Sequence, residues 1–286
     1  MTEKIVAVVG AGVMGCDLAL DLAGHDFSVI IKDLTPEILG KAEENIKTHY
    51  KAYRLMKKDV FSRSGEDLLA KIRFVYDYQG FESADMVIEN ITEEFEAKAE
   101  VYRELSRVCQ DQVLFGVNTS CISITKISSL VPRPENVIGM HFFNPVPLKD
   151  LVELIPGWKT SDETLKRAKN FLKSLGKTWV VVQDLPGFAT NRVLMLMINE
   201  SIWLLHDKVS EPEVIDTIFK TGFGHKMGPL ATADLIGLDT VLNSLLVLFQ
   251  SYGDPKYRPC PSLVKMVEAG RLGKKSGQGF FKYQRS

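Results

Sequence analysis

IVAVVGAGVMGCDLALDLAGHDFSVIIKD, residues 5–33, is the stretch of this chain that decides its fold. Ile5–Val9 is a continuous apolar run, which is typical of a parallel strand covered on both faces. A helical stretch follows from Val13 to Ala23 and ends at Gly24, a residue suited to the turn after a helix. Phe27–Ile31 is a second apolar run, so the sequence predicts a β-α-β unit.

The turn between the first predicted strand and the helix has the pattern G-x-G-x-x-G. Gly10 permits a tight turn, Gly12 lets a phosphate approach the backbone, and Gly15 lets helix and strand pack closely. The helix N-terminus offers free N–H groups and the positive end of its dipole to an anion. The pattern alone is weak, but its place between a strand and a helix predicts a dinucleotide site. The residues predicted to bind this cofactor are Gly10, Gly12, Val13, Met14 and Gly15.

An acid at the end of the second strand distinguishes NAD from NADP. Asp33 stands there, 18 positions after Gly15 (33 − 15), where its carboxylate accepts hydrogen bonds from the adenosine ribose and repels a 2′-phosphate. Lys32 adjoins it, but Leu34 occupies the position at which an arginine would bind that phosphate. The sequence therefore predicts NAD, and the alternative is a glycine-rich turn that binds no ligand.

The same alternation of strand and helix continues through roughly residue 185, which predicts an α/β domain with a Rossmann-type doubly wound parallel sheet. The charged, helical segment 37–71 resembles a helical hairpin inserted between strands. A further helix is predicted over residues 162–175. The remaining predicted strands are Ile72–Tyr76, Met86–Glu89, Val113–Val117, Val137–Phe142, Leu151–Ile155 and Trp179–Val182.

Strand signals disappear after Pro186, and an all-α C-terminal domain is predicted. We therefore divide the chain into an NAD-binding domain, residues 1–186, and a helical substrate-binding and dimerisation domain, residues 187–286. Because its helices are apolar on more than one face, part of this domain is expected to pack against a second subunit in a homodimer. Its predicted helices cover residues 190–207, 211–221, 230–252 and 262–270.

Composition and charge limit the classes of partner that the chain is expected to bind. The net charge of −1 gives no reason to expect nucleic acid or a membrane surface, and the most apolar stretch, Val193 to Leu205, is too short to span a bilayer. The four cysteines are scattered, without the spacing of a metal site, so no metal is predicted. Reduced, packed cysteines and an N-terminus without the zones of a signal peptide favour a cytoplasmic protein.

A hydride acceptor such as NAD needs a partner base that removes the hydroxyl proton when a carbonyl forms. Of the five histidines, His141 is the best candidate, because it lies at the end of the apolar strand Val137–Met140, where open α/β folds bind ligands. Glu153 follows 12 residues later (153 − 141), a single acid among apolar neighbours that is costly to bury unless it is paired. A strand–turn–strand through Pro145-Val146-Pro147 would bring the two together, and a satisfied core histidine is the alternative.

Several motifs match one family. The most specific is GMHFFNPVP at residues 139–147, followed by Leu151-Val152-Glu153. The others are Asn118-Thr119-Ser120, Pro186-Gly187-Phe188, Asn191-Arg192, Met227-Gly228-Pro229, Gly237-Leu238-Asp239-Thr240 and Gly277-Gln278-Gly279-Phe280. On these motifs the chain resembles the 3-hydroxyacyl-CoA dehydrogenase family, and its 3-hydroxybutyryl-CoA members, over essentially its whole length.

The resemblance implies oxidation of the 3-hydroxyl of an acyl thioester, with NAD as hydride acceptor. It implies that His141 is the base, that Glu153 is its partner, and that Ser120 and Asn191 hold the substrate oxygens. It also implies a cofactor contact near the nicotinamide for Ser120 and for four further positions, which are Glu93, Lys98, Asn118 and Asn144.

Some positions depart from the fatty-acid pattern. Glu89-Asn90 stands where degradative members usually have Glu-Ala, and the loop Gly224-His225-Lys226-Met227 is more polar than theirs. Together with residues 256–261, these changes resemble a branch that oxidises a glyceryl or hydroxymalonyl group on an acyl carrier protein, to make extender units for polyketides and antibiotics. Carrier proteins are acidic, so a basic docking face is a hypothesis for four residues, Lys51, Arg54, Lys57 and Lys58.

Three other functions are compatible with parts of this sequence. The first is a (S)-3-hydroxybutyryl-CoA dehydrogenase of fatty-acid or butanoate metabolism. The second, a hydroxyisobutyrate-type dehydrogenase, needs a lysine base on the helix that opens the second domain, and residues 188–199 contain none. The third is a non-catalytic NAD-binding protein on the same fold, against which the intact set of His141, Glu153, Ser120 and Asn191 argues.

Overall fold

The apolar runs predicted as strands form one eight-stranded sheet. In the computed structural model, which describes residues 4–283, their order across the sheet is β3-β2-β1-β4-β5-β6-β7-β8. The order reverses between β1 and β4, which is the crevice at which doubly wound folds bind ligands. The strands are β1 Ile5–Val9, β2 Ser28–Lys32, β3 Ile72–Val75, β4 Met86–Glu89, β5 Leu114–Val117, β6 Val137–Phe142, β7 Leu151–Pro156 and β8 Thr178–Val181.

One pair of strands departs from the predicted parallel sheet. Strands β6 and β7 are antiparallel, whereas all other neighbours in the sheet are parallel. Residues 143–150, which connect them, are too few for a parallel crossover of about a dozen residues. The predicted Rossmann-type sheet is therefore confirmed as a mostly parallel one with a single antiparallel pair, and the strand–turn–strand through Pro145 is confirmed.

Helices cover both faces of this sheet. Helix α1 is buried along most of its length, and the side chains of Leu18 and Leu22 have no exposed surface. The predicted hairpin insert has unequal arms, because a short loop and a single helical turn follow the long helix α2. The helices of this unit are α1 Val13–Gly24, α2 Pro36–Met56, α3 Gly65–Leu69, α4 Phe95–Val108, α5 Ile124–Ser128 and α6 Asp162–Ser174.

The chain divides into two compact units, Met1–Asp184 and Leu185–Ser286. The second contains the predicted helices, with one correction. The helix predicted over 230–252 is two helices at 97° to each other, because Gly237 has φ +102°, which a right-handed helix excludes. Its helices are α7 Thr190–His206, α8 Pro212–Thr217, α9 Pro229–Ile236, α10 Leu238–Tyr252 and α11 Pro261–Glu268, and a π-helical turn, Ile218–Gly222, extends α8.

This second unit has its own apolar core, in which Met195, Ile202 and Leu245 are buried. The predicted α/β domain followed by an all-α domain is thus confirmed. Within residues 4–283, no single helix has the length and apolar composition to cross a membrane, and only the bent pair α9 and α10 passes when the two are taken together.

Candidate active site

The glycine-rich turn has the shape that a dinucleotide requires. A Cβ on Gly15 would lie 1.8 Å from the carbonyl oxygen of Gly10, so only glycine lets helix and strand pack this closely. Gly10 has φ +96° and lies against the backbone of Asn90. A Cβ on Gly12, by contrast, would meet no atom within 4 Å, which leaves open space at the N-terminus of α1. These residues fit a bound pyrophosphate, and Val13 and Met14 begin the helix beneath it.

Asp33 follows β2 at the same edge of the sheet. One carboxylate oxygen accepts a hydrogen bond from the Ala11 N–H at 2.6 Å and the other from the Leu34 N–H at 2.7 Å. The side chain is only partly buried. Because a carboxylate has about four lone-pair sites, Asp33 retains acceptors for ribose hydroxyls, and its charge disfavours a 2′-phosphate.

His141 and Glu153 form a buried pair across β6 and β7. They are directly opposite each other in the antiparallel register, so their side chains project from the same face of the sheet. The Nδ1 atom of His141 lies 2.7 Å from Oε2 of Glu153, and the two residues are 8% and 1% exposed. An ionised carboxylate only accepts, so Nδ1 carries the proton and Nε2 is the ring nitrogen that can accept one. Register and turn together therefore place a base here.

Ser120 lies next to that base. Its hydroxyl oxygen is 3.3 Å from Nε2 of His141, the nitrogen opposite the one that contacts Glu153. The serine is the third residue after β5, and β5 and β6 are parallel neighbours, so both residues reach the same edge of the sheet. The chain thus brings Ser120, His141 and Glu153 into one hydrogen-bonded row. In this geometry the histidine could activate the serine as a nucleophile, or it could take the proton of an alcohol substrate. The neighbouring dinucleotide site favours the alcohol substrate.

Asn118 joins the ends of three strands. Its Nδ2 donates to Oδ1 of Asn90 after β4 at 2.6 Å, and its Oδ1 accepts from the Phe142 N–H in β6 at 3.2 Å. The side chain of Asn118 is therefore engaged by the protein, and it fixes the backbone directly after His141. Asn90, one of the departures from the family pattern, holds the amide in this orientation.

Glu93 and Lys98 do not share one environment. Glu93 is partly exposed, and its Oε1 accepts hydrogen bonds from the loop that carries Ser120. Lys98, in contrast, has no exposed surface, and its ammonium lies 2.6 Å from Oε1 of Glu89. The predicted cofactor contact by Lys98 stays a prediction, and the structure places its ammonium in a buried ion pair with Glu89.

The two remaining predicted residues lie apart from this row in the sequence. Asn144 is exposed in the turn after β6, where it precedes Pro145 across a cis peptide bond. Asn191 belongs to the C-terminal unit, where it is buried in the first turn of α7. Among residues 4–283, no group of three or more His, Cys, Asp or Glu side chains is placed to hold a metal ion.

The sequence reasoning missed two residues that hold this site together. Lys177 is buried, and its ammonium donates to the carbonyls of Val146 and Lys149 in the β6–β7 turn and contacts Asp21 at 2.9 Å. Glu89 is buried at the end of β4. A single acid that ends an apolar strand is the same signal that identified Glu153, and it would have found Glu89. Lys177 follows a helix in an ordinary polar turn, so the sequence gives no comparable signal for it.

Comparison with known proteins decides what kind of site this is. Residues 5–185 match the family model "3-hydroxyacyl-CoA dehydrogenase, NAD binding domain", and residues 187–283 match "3-hydroxyacyl-CoA dehydrogenase, C-terminal domain". The chain belongs to the 3-hydroxyacyl-CoA dehydrogenase family. As a member of that family it is an NAD-dependent dehydrogenase, and the predicted NAD cofactor is confirmed.

Relatives of this dehydrogenase match over nearly their full length. A probable 3-hydroxybutyryl-CoA dehydrogenase from Deinococcus radiodurans is 44% identical over 96% of this chain and 99% of its own. A 3-hydroxybutyryl-CoA dehydrogenase from Bradyrhizobium diazoefficiens is 42% identical over 98% of this chain and 96% of its own. The crystal structure of a (S)-3-hydroxybutyryl-CoA dehydrogenase from Ralstonia eutropha superposes with a TM-score of 0.90 at 38% identity, covering 99% of this chain and 100% of that one.

Proposed function

We propose that this dehydrogenase oxidises the 3-hydroxyl of a 3-hydroxyacyl thioester, with His141 as base. The observation that carries the proposal is the buried pair of His141 and Glu153, in which Nε2 of His141 faces Ser120 at the carboxyl edge of the sheet. The names of the relatives, which are 3-hydroxybutyryl-CoA dehydrogenases, support an acyl-CoA substrate. Other members of the fold bind dinucleotides without this row of side chains.

The chemistry follows from the roles that these side chains can take. Nε2 of His141 accepts the proton of the C3 hydroxyl, and Glu153 stabilises the imidazolium that forms. When bound at the glycine-rich turn, NAD⁺ would supply the acceptor for the C3 hydride. The Ser120 hydroxyl donates a hydrogen bond to the substrate oxygen as charge develops on it, and we assign the same task to Asn191. In the reverse direction, the protonated histidine returns its proton to the oxygen of a 3-oxoacyl thioester.

The remaining proposed contacts concern the cofactor. Gly10, Gly12 and Gly15 would hold the pyrophosphate, with Val13 and Met14 at the helix start, and Asp33 would hold the adenosine ribose. Asn118, Asn144 and Glu93 would line the nicotinamide end of the site. None of these contacts requires a change in the backbone of the glycine-rich turn, because the space above Gly12 is open.

For the carrier we propose an acyl carrier protein that bears a glyceryl-like group. The support is the basic segment at the end of α2, in which residues 51–58 contain Lys51, Arg54, Lys57 and Lys58 but no acid. All four are exposed, as are the neighbouring apolar side chains Leu55 and Met56, which are 90% and 73% exposed. An apolar centre within a basic rim suits an acidic protein surface. The alternative, 3-hydroxybutyryl-CoA, is favoured by the names of the relatives.

One experiment separates these two substrates. NADH formation is measured from the same 3-hydroxyacyl group on CoA and on a carrier protein, with glyceryl tested beside 3-hydroxybutyryl and His141→Ala as control. A preference for the carrier that is lost in Lys57→Glu/Lys58→Glu, and at high salt, supports the docking face. A preference for 3-hydroxybutyryl-CoA, unaffected by the charge reversal, refutes the carrier proposal and leaves the thioester chemistry intact. No turnover of any thioester would refute both.

We further propose that the C-terminal unit forms a homodimer. An apolar groove of about 500 Å³ along α8 and the turn that follows it is lined by Val214 and Ile218, and the nearby Phe223 is 69% exposed. Exposed apolar patches of this kind mark protein interfaces. Light scattering coupled to gel filtration tests the proposal, with Ile218→Asp as the variant. A monomeric wild-type protein at micromolar concentration would refute it.

A further inference from the structure

Glu93 is held by several hydrogen bonds to the loop that carries Ser120. Its Oε1 accepts three hydrogen bonds, from the Thr119 hydroxyl at 2.6 Å, the Ser120 N–H at 2.8 Å and the Cys121 N–H at 2.9 Å. All three donors belong to consecutive residues after β5. One carboxylate oxygen therefore fixes both the backbone of Ser120 and the residues on either side of it.

Lys98 fixes the carboxylate in turn. Its fully buried ammonium lies 2.6 Å from Oε1 of Glu89, 3.9 Å from Oε2 of Glu93 and 3.5 Å from the carbonyl oxygen of Asn118. These three acceptors come from the end of β4, the loop after it and the end of β5. Glu89 is itself fixed, since the same Oε1 accepts the Ile91 N–H at 2.7 Å. The ammonium thus joins the two strand ends beneath the loop.

The hydroxyl oxygen of Ser120 is the atom of this loop that must be positioned against His141. The Ser120 hydroxyl lies 3.3 Å from Nε2 of His141, at the long end of the range for a hydrogen bond, so a shift of a few tenths of an ångström would break the contact. We propose that Glu93, held by Lys98, is a positioning residue that sets Ser120 against His141. The proposal rests on the proposed function for the roles of Ser120 and His141, and it assigns Glu93 a task that a contact with the cofactor alone does not explain.

The test is a double-mutant cycle. Glu93→Gln keeps the size of the side chain, removes its charge, and is compared with Glu94→Gln, the adjacent exposed acid, whose activity is expected to be unchanged. Glu93→Gln is expected to lower kcat by about tenfold to a hundredfold, the loss typical of a charge-assisted hydrogen bond. The kcat is measured at saturating NAD, and the Kd for NAD is determined separately by fluorescence titration, so that any loss of a cofactor contact by Glu93 is separated from the loss of kcat. In a Ser120→Ala background, Glu93→Gln is expected to cause almost no further loss of kcat.

Two kinetic results would overturn the proposal. A raised Kd for NAD with an unchanged kcat at saturation would make Glu93 a cofactor contact. Losses that multiply in the double variant would mean that Glu93 does not act through Ser120. Thr119→Val, compared with Thr119→Ser, repeats the test from the donor side of the same contact, in case the loop tolerates the glutamine.

A readout that needs no turnover separates this proposal from the proposed function. The ¹⁵N signal of His141 Nε2 reports its contact with Ser120, and it is expected to move in Glu93→Gln and in Ser120→Ala but not in Glu94→Gln. An inactive wild-type enzyme with this pattern would remove the proposed substrate and keep the positioning role. An active enzyme whose His141 signal is the same in Glu93→Gln as in the wild type would do the reverse.

Discussion

The charge of Glu153 is the property on which the proposed base depends most. Glu153→Gln keeps the shape of the side chain and an oxygen that can accept from His141, but it removes the negative charge 2.7 Å from Nδ1. Two unit charges about 4 Å apart attract by about 4 kcal/mol at an effective dielectric constant of about 20. The neutral hydrogen bond that remains retains about 1 kcal/mol. The imidazolium formed on proton transfer should therefore lose about 3 kcal/mol, and kcat should fall by about 10²-fold.

The assay is NADH formation from 3-hydroxybutyryl-CoA at saturating NAD, followed by absorbance. Glu163→Gln, the same change at an exposed site in α6, is the matched control and should leave kcat unchanged. The loss should appear in kcat rather than in KM, because the imidazolium exists only after proton transfer begins. If Glu153→Gln folds and binds NAD normally but keeps kcat within about fivefold of wild type, the carboxylate is not stabilising charge and the reasoning is wrong.

Three further predictions concern the cofactor site, stability and the cysteines. Gly12→Ala should fold normally but weaken NAD binding by at least about tenfold, since its Cβ would occupy open space that the pyrophosphate needs. Gly15→Ala, by contrast, should unfold at a lower temperature, because its Cβ would clash with Gly10. Equal NAD affinity for Gly12→Ala and wild type would contradict the proposed place of the pyrophosphate. Lys177→Met should destabilise the protein by about 3–5 kcal/mol at pH 8, because it leaves the carboxylate of Asp21 buried without its cation. Burial already raises the pKa of Asp21, and a raised folded-state pKa gives stability that is present at low pH and lost as the pH rises. The loss of unfolding free energy in Lys177→Met, measured by urea titration, should therefore shrink towards pH 4. A loss that is independent of pH would refute the role of the Asp21 charge. Burial raises the pKa of Cys16 to about 12, so it should resist a thiol reagent at pH 8 until the protein is unfolded, and rapid labelling of the native protein would contradict its burial.

Most of the fold could be read from local patterns. Each of the eight strands lies within a residue or two of its predicted position, because short apolar runs bounded by turn residues favour strands, even in β8, which is mostly exposed. The glycine-rich turn could be predicted from its three glycines within six residues, although only Gly15 meets a neighbour within the turn, whereas Gly10 lies against Asn90 and Gly12 borders open space. Gly237 is the counterexample, because an apolar pattern continues across it while its backbone cannot remain helical.

The pairing of His141 with Glu153 was predicted only in part from the sequence. The sequence supplied a histidine at a strand end and one acid in the next apolar strand, and a connection of eight residues left little choice but an antiparallel pair. The sequence did not determine the register, which decides whether the two side chains share a face of the sheet.

The contacts beneath Ser120 were decided by the tertiary structure alone. Lys98 reads as an ordinary charge on an amphipathic helix, yet packing removes it from water and places it among Glu89, Glu93 and Asn118. Lys177 likewise contacts Asp21, a residue 156 positions earlier (177 − 21). Sequence patterns indicate which face of each segment must be buried, because periodicity is a local property of the chain. Which buried charge meets which carboxylate depends on how distant segments pack, and the cost of leaving a charge unpaired is settled only once the fold is complete.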